Sequence, residues 1–184
     1  GNGRLISLFP ARGGPVLKSG VIYFSSGIWP GTGVFLHALN AKTGAVIWSN
    51  TDSHHLAEAN MDHRVKQFAG LTPQGYLALI AGQLVVPCGS QLPGFIDPAN
   101  GKLHQYSMGW GGREGLPKGS WFVAGAGKYL SHSGDLYDLQ ARAGGKVNDR
   151  MLQAGGWKRI ESDPTNHRDL GNFRMPVMSE DTLY

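Results

Sequence analysis

The residues best equipped for chemistry crowd between positions 51 and 70, where His54, His55, Glu58, Asp62 and His63 fall in one polar stretch. If that stretch were helical, His54 and Glu58 would share a face at i and i+4 with Asp62 beyond them, offering imidazole and carboxylate donors suited to zinc. No HExxH or Cys/His spacing fixes a coordination geometry, so the expectation is a solvated loop and no metal site. Cys88 is the sole cysteine, which rules out an intrachain disulfide, a CxxC redox pair and CxxCH haem attachment. It follows the apolar run Leu84 to Val86 and precedes Gly89, so it reads as a small buried residue and not as a nucleophile. Ser25, Ser90 and Ser133 stand in turn-like contexts with no GxSxG around them. No catalytic residue is expected, and the chain is read as a binding module and not an enzyme.

Binding is better represented. Trp29 lies in the loop Gly27-Ile-Trp-Pro-Gly-Thr-Gly33, where an indole among glycines and a proline has little reason to be buried. Packing over a neighbouring loop is the competing reading. A second glycine-rich loop, Met108-Gly-Trp110-Gly-Gly-Arg113, combines one aromatic and one guanidinium, a pairing that suits sugar rings or carboxylates. It lacks GxxxxGK[ST] and is no phosphate cradle; a linker between structural units is its plainer reading. Gln74 joins Trp29, Trp110 and Arg113 as the candidate contact residues.

The elements that position these loops follow from composition and repetition. Of 184 residues, 41% are hydrophobic, only 16% are charged and 28 are glycine, which suits short strands joined by tight turns better than a helical bundle or a disordered tail. The net charge of +4 is spread over scattered Lys and Arg residues, and no nucleic-acid partner is expected. No apolar run reaches the roughly 18 residues that a spanning helix needs. The chain opens Gly-Asn-Gly-Arg with no initiator Met and no charged-then-apolar leader, as expected of a processed chain or an excised fragment, a reading that leaves room for a signal peptide upstream.

Four segments repeat one pattern, an apolar stretch, a small or acidic turn and a second apolar stretch. They are Pro15 to Tyr23, Tyr76 to Val85, Trp121 to Leu130 and Pro176 to Tyr184, with turns at Gly20, Gly82, Gly127 and Asp181. Each predicts a hairpin, recurring at intervals on the order of 50 residues. Two of the hairpins lead into a second unit, Ala38-Leu-Asn-Ala-Lys-Thr-Gly44-Ala-Val-Ile-Trp48 and Phe95-Ile-Asp-Pro-Ala-Asn-Gly101-Lys-Leu-His-Gln105. In each, Asn40 or Asp97 can cap a turn that Gly44 or Gly101 closes at positive φ. The strands are expected at 14–18, 21–27, 33–39 and 45–49, then at 75–80, 83–88, 93–96 and 102–106.

Ala38, Asn40, Thr43, Gly44 and Trp48 resemble the repeat motif A-x-D-x-x-T-G-x-x-x-W of pyrroloquinoline-quinone-like, or quinoprotein-like, β-propellers. Asn40 replaces the usual Asp, and Gln105 stands where the second copy, with Asp97 and Gly101, would carry Trp. Longer stretches, Val21 to Gly27, Thr72 to Tyr76 and Leu84 to Ser90, are similar to propeller proteins found in large extracytoplasmic bacterial chains.

The resemblance implies an all-β fold of four-stranded antiparallel blades, about three of them, forming part of a ring. Blade 1 is expected at about 14–50, an insertion at 51–70, blade 2 at about 71–107, blade 3 at about 119–145 and the start of a further blade at 173–184. It also implies that Trp48 docks one blade against the next, and that raw flanks are completed by other blades or domains of a longer chain or by another subunit. No cofactor is expected: the family's quinone site uses a calcium with carboxylate and amide ligands and a wall of two adjacent cysteines, which Cys88 alone cannot supply. The expected role is a periplasmic or secreted interaction or scaffolding module. A carbohydrate-binding or carbohydrate-active propeller is the alternative, and a fragment of a quinone-dependent dehydrogenase the second.

Overall fold

The computed structural model describes residues 3, 5–29, 31–54, 70–89, 91–105, 122–132, 135–142 and 157–159. Within them the fold is all-β, three four-stranded antiparallel sheets each running in chain order as a propeller blade does. Sheet 1 holds β1 (Ala11–Lys18), β2 (Val21–Ser26), β3 (Phe35–Asn40) and β4 (Val46–Asn50). Sheet 2 holds β5 (Ala78–Ile80), β6 (Gln83–Cys88), β7 (Gln91–Ile96) and β8 (Leu103–Gln105), and sheet 3 holds β9 (Val123–Ala126), β10 (Tyr129–His132), β11 (Asp135–Arg142) and β12 (Trp157–Arg159).

The first eight strands lie where alternating apolar residues and turn signals put them. Ser19-Gly20 and Ala81-Gly82 both take positive φ at each residue, 51° and 78° in one and 50° and 76° in the other, the twist a two-residue hairpin needs. β1 begins earlier than expected. Gly13, at φ 76°, places an irregularity between Arg12 and Val16 instead of breaking the strand. A side chain at Gly13 would strike the Gly75 carbonyl oxygen and one at Gly14 the Tyr76 ring. The glycines therefore let the inner strands of sheets 1 and 2 touch: Gly14 N–H donates to Gly75 O at 3.2 Å and Leu77 N–H to Gly14 O at 3.1 Å.

Sheet 3 departs from expectation at two points. Gly127 is the first turn residue and Lys128 the second, so Gly127 is one place out of step with Gly20 and Gly82. Its fourth strand is Trp157–Arg159, beyond the 145 at which the third blade was expected to end. No copy of the Asn/Asp-to-Gly turn motif precedes that strand, so no local signal marks where it starts. The further blade expected at 173–184 lies outside the described residues.

The core forms two seams. One contains the cross-strand row Val16, Tyr23, Ala38 and Trp48 of sheet 1 against the row Leu79, Leu84, Ile96 and Leu103 of sheet 2. The other sets Ile80, Val85 and Phe95 on the opposite face of sheet 2 against Val123 and Leu130 of sheet 3. Each fully enclosed Val, Leu, Ile or Phe among them, such as Leu84, Val85, Phe95 and Ile96, contributes about 1.5–3 kcal/mol relative to exposure.

Candidate interaction surfaces

Trp48 forms the joint between the first two sheets. Asn40 Oδ1 accepts the N–H groups of Lys42 at 2.9 Å and Thr43 at 3.1 Å, and Thr43 Oγ1 accepts from Ala45 N–H at 3.2 Å. Asp97 and Asn100 repeat this, with Asp97 Oδ1 accepting from Ala99 N–H at 2.8 Å and Asn100 Oδ1 from Lys102 N–H at 2.9 Å. Both turns close on a glycine at positive φ, Gly44 at 71° and Gly101 at 75°.

The indole of Trp48, 8% exposed, lies on the second turn. A Cβ at Gly101 would sit 2.5 Å from its ring, and its Nε1–H donates to Pro98 O at 2.9 Å. Asn50, two residues on, donates through Nδ2–H to Gly101 O at 2.7 Å and to Ser53 Oγ at 2.8 Å. Asn50 was not singled out from sequence, because a polar residue ending a strand carries no mark of a cross-sheet bond 51 residues away.

A second surface is the end of the sheets where β1 and β5 begin. Gly27 N–H donates to Pro10 O at 3.0 Å, and Arg12 Nη1–H donates to Ile28 O at 3.2 Å. Trp29 O accepts from Thr32 N–H, Gly33 N–H and Thr32 Oγ1–H at 3.0, 3.1 and 3.0 Å. These bonds fix the loop backbone while the Trp29 side chain stays 62% exposed. At the same end Phe35 meets Phe9 at 5.3 Å and His54 edge-on at 5.6 Å, so the polar insertion begins beside the Trp29 loop.

Gln74 is anchored through its backbone, its N–H donating to Pro87 O at 2.8 Å beside a parallel bridge to Cys88. Next to it Tyr76, 54% exposed, stacks on Phe122 at 5.8 Å and 21°. That aromatic pair, absent from the candidate residues, joins the inner edges of sheets 2 and 3; its partners stand 46 positions apart, with no spacing to betray them. Trp110 and Arg113 lie outside the described residues, as do His55, Glu58, Asp62 and His63.

The remaining chemically capable groups are held by the fold. Burial pushes the Cys88 thiol up to about 12, so it stays protonated at neutral pH. His37 spans the outer face of sheet 1, with Nε2 3.0 Å from Ser26 Oγ and Nδ1 2.9 Å from Ser49 Oγ; burial lowers its pKa. Among the described residues His54 Nδ1 is buried with no hydrogen-bond partner. Among the described residues no three His, Cys, Asp or Glu side chains gather as a metal site, and no helix is long and apolar enough to cross a membrane.

No protein-family model matches the chain, and no curated protein does. Among solved structures it is similar to the quinohemoprotein alcohol dehydrogenase from Comamonas testosteroni, at 19% identity and a TM-score of 0.40, over 72% of this chain and 17% of that one. It is similar also to BamB from Moraxella catarrhalis, at 17% identity and a TM-score of 0.36, over 68% of this chain and 34% of that one. The chain thus spans a sixth and a third of the lengths of these two proteins.

Proposed function

We propose that the chain is a non-catalytic interaction or scaffolding module of a larger periplasmic or secreted protein. The observation that carries this is the surface bearing Trp29 and Tyr76, two exposed aromatic rings on backbone already held by hydrogen bonds and strand contacts. Rings so placed lose little freedom when a partner covers them, which favours binding energy concentrated in a few aromatic contacts. The state of Cys88 and the pairing of His37 with two serines support a structural use of groups that could otherwise act in catalysis.

The Tyr76–Phe122 stack also favours a second reading, a glycan partner, since flat aromatic faces suit the apolar side of sugar rings. The test immobilises the chain and a Trp29→Ser/Tyr76→Ser variant, then offers both a glycan array and an extracytoplasmic extract. A bound protein or glycan reduced at least tenfold by the double substitution is the expected result. Equal retention by both forms, or calcium- and quinone-dependent dye reduction by the chain, would overturn the reading.

A further inference from the structure

The turns that join the outer two strands of sheets 1 and 2 differ at one chemically consequential place. Thr43 precedes Gly44 in the first, and Asn100 precedes Gly101 in the second. Each side chain accepts the N–H two residues on, Thr43 Oγ1 from Ala45 and Asn100 Oδ1 from Lys102. Only the carboxamide carries a carbon that a backbone nitrogen can attack, which makes Asn the chemically labile choice, and a following glycine leaves that nitrogen unhindered by any Cβ. Asn-Gly occurs at 2–3 and 100–101, and the second pair lies wholly within the described residues.

We propose that Asn100-Gly101 is a site of spontaneous deamidation whose products release the Trp48 joint, and that the closed joint holds the reaction back. Gly101 N attacks Asn100 Cγ. The N–Cγ bond forms, the Cγ–Nδ2 bond breaks, and the amide proton leaves with the carboxamide nitrogen as ammonia. Water then opens the succinimide, at Cγ to give aspartate or at the backbone carbonyl to give isoaspartate, with no change of oxidation state.

Asn100 is exposed, so ammonia and water pass freely, but three bonds oppose the attack. Gly101 N–H donates to Asp97 O at 2.8 Å, which engages the proton the nucleophile must lose. Asn100 Nδ2–H donates to Asp97 Oδ2 at 2.7 Å and Lys102 N–H donates to Asn100 Oδ1 at 2.9 Å, which pins the carboxamide. The joint holds the backbone too, because Gly101 is buried beneath the Trp48 indole and its carbonyl accepts from Asn50. Either product undoes this. Aspartate replaces a donor by a second carboxylate facing Asp97. Isoaspartate lengthens the backbone by one carbon just before Gly101, where even an added Cβ would sit 2.5 Å from the indole.

The test incubates the full chain at mildly alkaline pH beside a synthetic peptide of residues 95–105. Peptide mapping by mass spectrometry quantifies the acid formed at position 100, and NMR follows solvent exchange of the Trp48 indole N–H. Conversion is expected at least tenfold slower in the chain than in the peptide, and at least threefold faster in Asn50→Ala and Asp97→Asn chains than in the parent. In the converted chain the indole proton should exchange at least tenfold faster. Sheet 1 supplies substitutions that suit the turn, because Asn40 stands at the place of Asp97 and Thr43 at that of Asn100. Asp97→Asn therefore remains a folded test should Asn50→Ala not fold, and Asn100→Thr should keep slow indole exchange throughout the incubation. Asn100 left intact in both the parent and Asp97→Asn chains after the peptide has fully converted would overturn the proposal. So would equal rates in chain and peptide, or unchanged indole exchange in the converted chain.

Discussion

Sheets 1 and 2 are built from the same turns and the same strand register, yet they live in different environments. Leu84, Val85 and Val86 in β6 are fully enclosed, because successive side chains enter the seams on opposite faces of sheet 2. In β2 the equivalents alternate, Tyr23 buried against sheet 2 and Ile22 and Phe24 only partly covered. The amino-acid pattern does not register the difference, since Val21 to Phe24 in β2 and Leu84 to Val86 in β6 are both unbroken apolar runs; what differs is which faces the neighbouring sheets cover. In such a stack stability is carried by joints between neighbours more than by any single sheet.

The largest effect is expected at the joint. Trp48→Ala should cost about 3–5 kcal/mol in urea unfolding, as for a large buried truncation. A loss below about 1 kcal/mol would mean that the indole does not hold the seam. The contrast between the sheets is sharpened by paired truncations. Leu84→Ala should cost about 2–5 kcal/mol and its counterpart Ile22→Ala about 1 kcal/mol, and equal costs would break the comparison.

A finer version uses the turns. Gly44→Ala meets only the strain of positive φ, about 1 kcal/mol, whereas Gly101→Ala adds a collision with the Trp48 ring and should cost about 1–3 kcal/mol more in thermal unfolding. The smallest effect is expected from His37. Its pKa is lowered in the folded sheet by burial, so below about 6.5 the unfolded chain takes up the proton more readily than the folded one. Stability is complete above that value and declines as pH falls toward the folded pKa. His37→Gln should flatten the melting temperature between pH 7.5 and 5, and an unchanged slope would show that other groups govern it.

Most of sheets 1 and 2 was legible because local rules agree there. Alternation, two-residue turns and the Asn40 and Asp97 caps all point to the same strands. The motif also carried the position of Trp48, though the indole's bond to Pro98 O depends on a neighbour 50 residues away. What escaped was of that long-range kind. Gly13 and Gly14 look like a strand breaker until Gly75 and Tyr76 are seen against them, and Asn50 and the Tyr76–Phe122 stack are defined by partners remote in sequence. In sheet 3 the distance from β11 to β12 exceeds any turn length that local residues could specify. The reason is physical: turns and alternation are set by adjacent residues, whereas contacts between sheets are set by how the sheets stack.

The place of Cys88 turns that stacking into something that can be timed. Its sulfur sits in the seam shared by sheets 1 and 2, 2% exposed and protonated, so a thiol reagent can reach it only while the seam is open. With a single cysteine in the sequence, the labelling trace has one component and needs no engineered probe. When the seam recloses faster than the reagent reacts, the rate measures the population of parted sheets. At high reagent it measures how often they part.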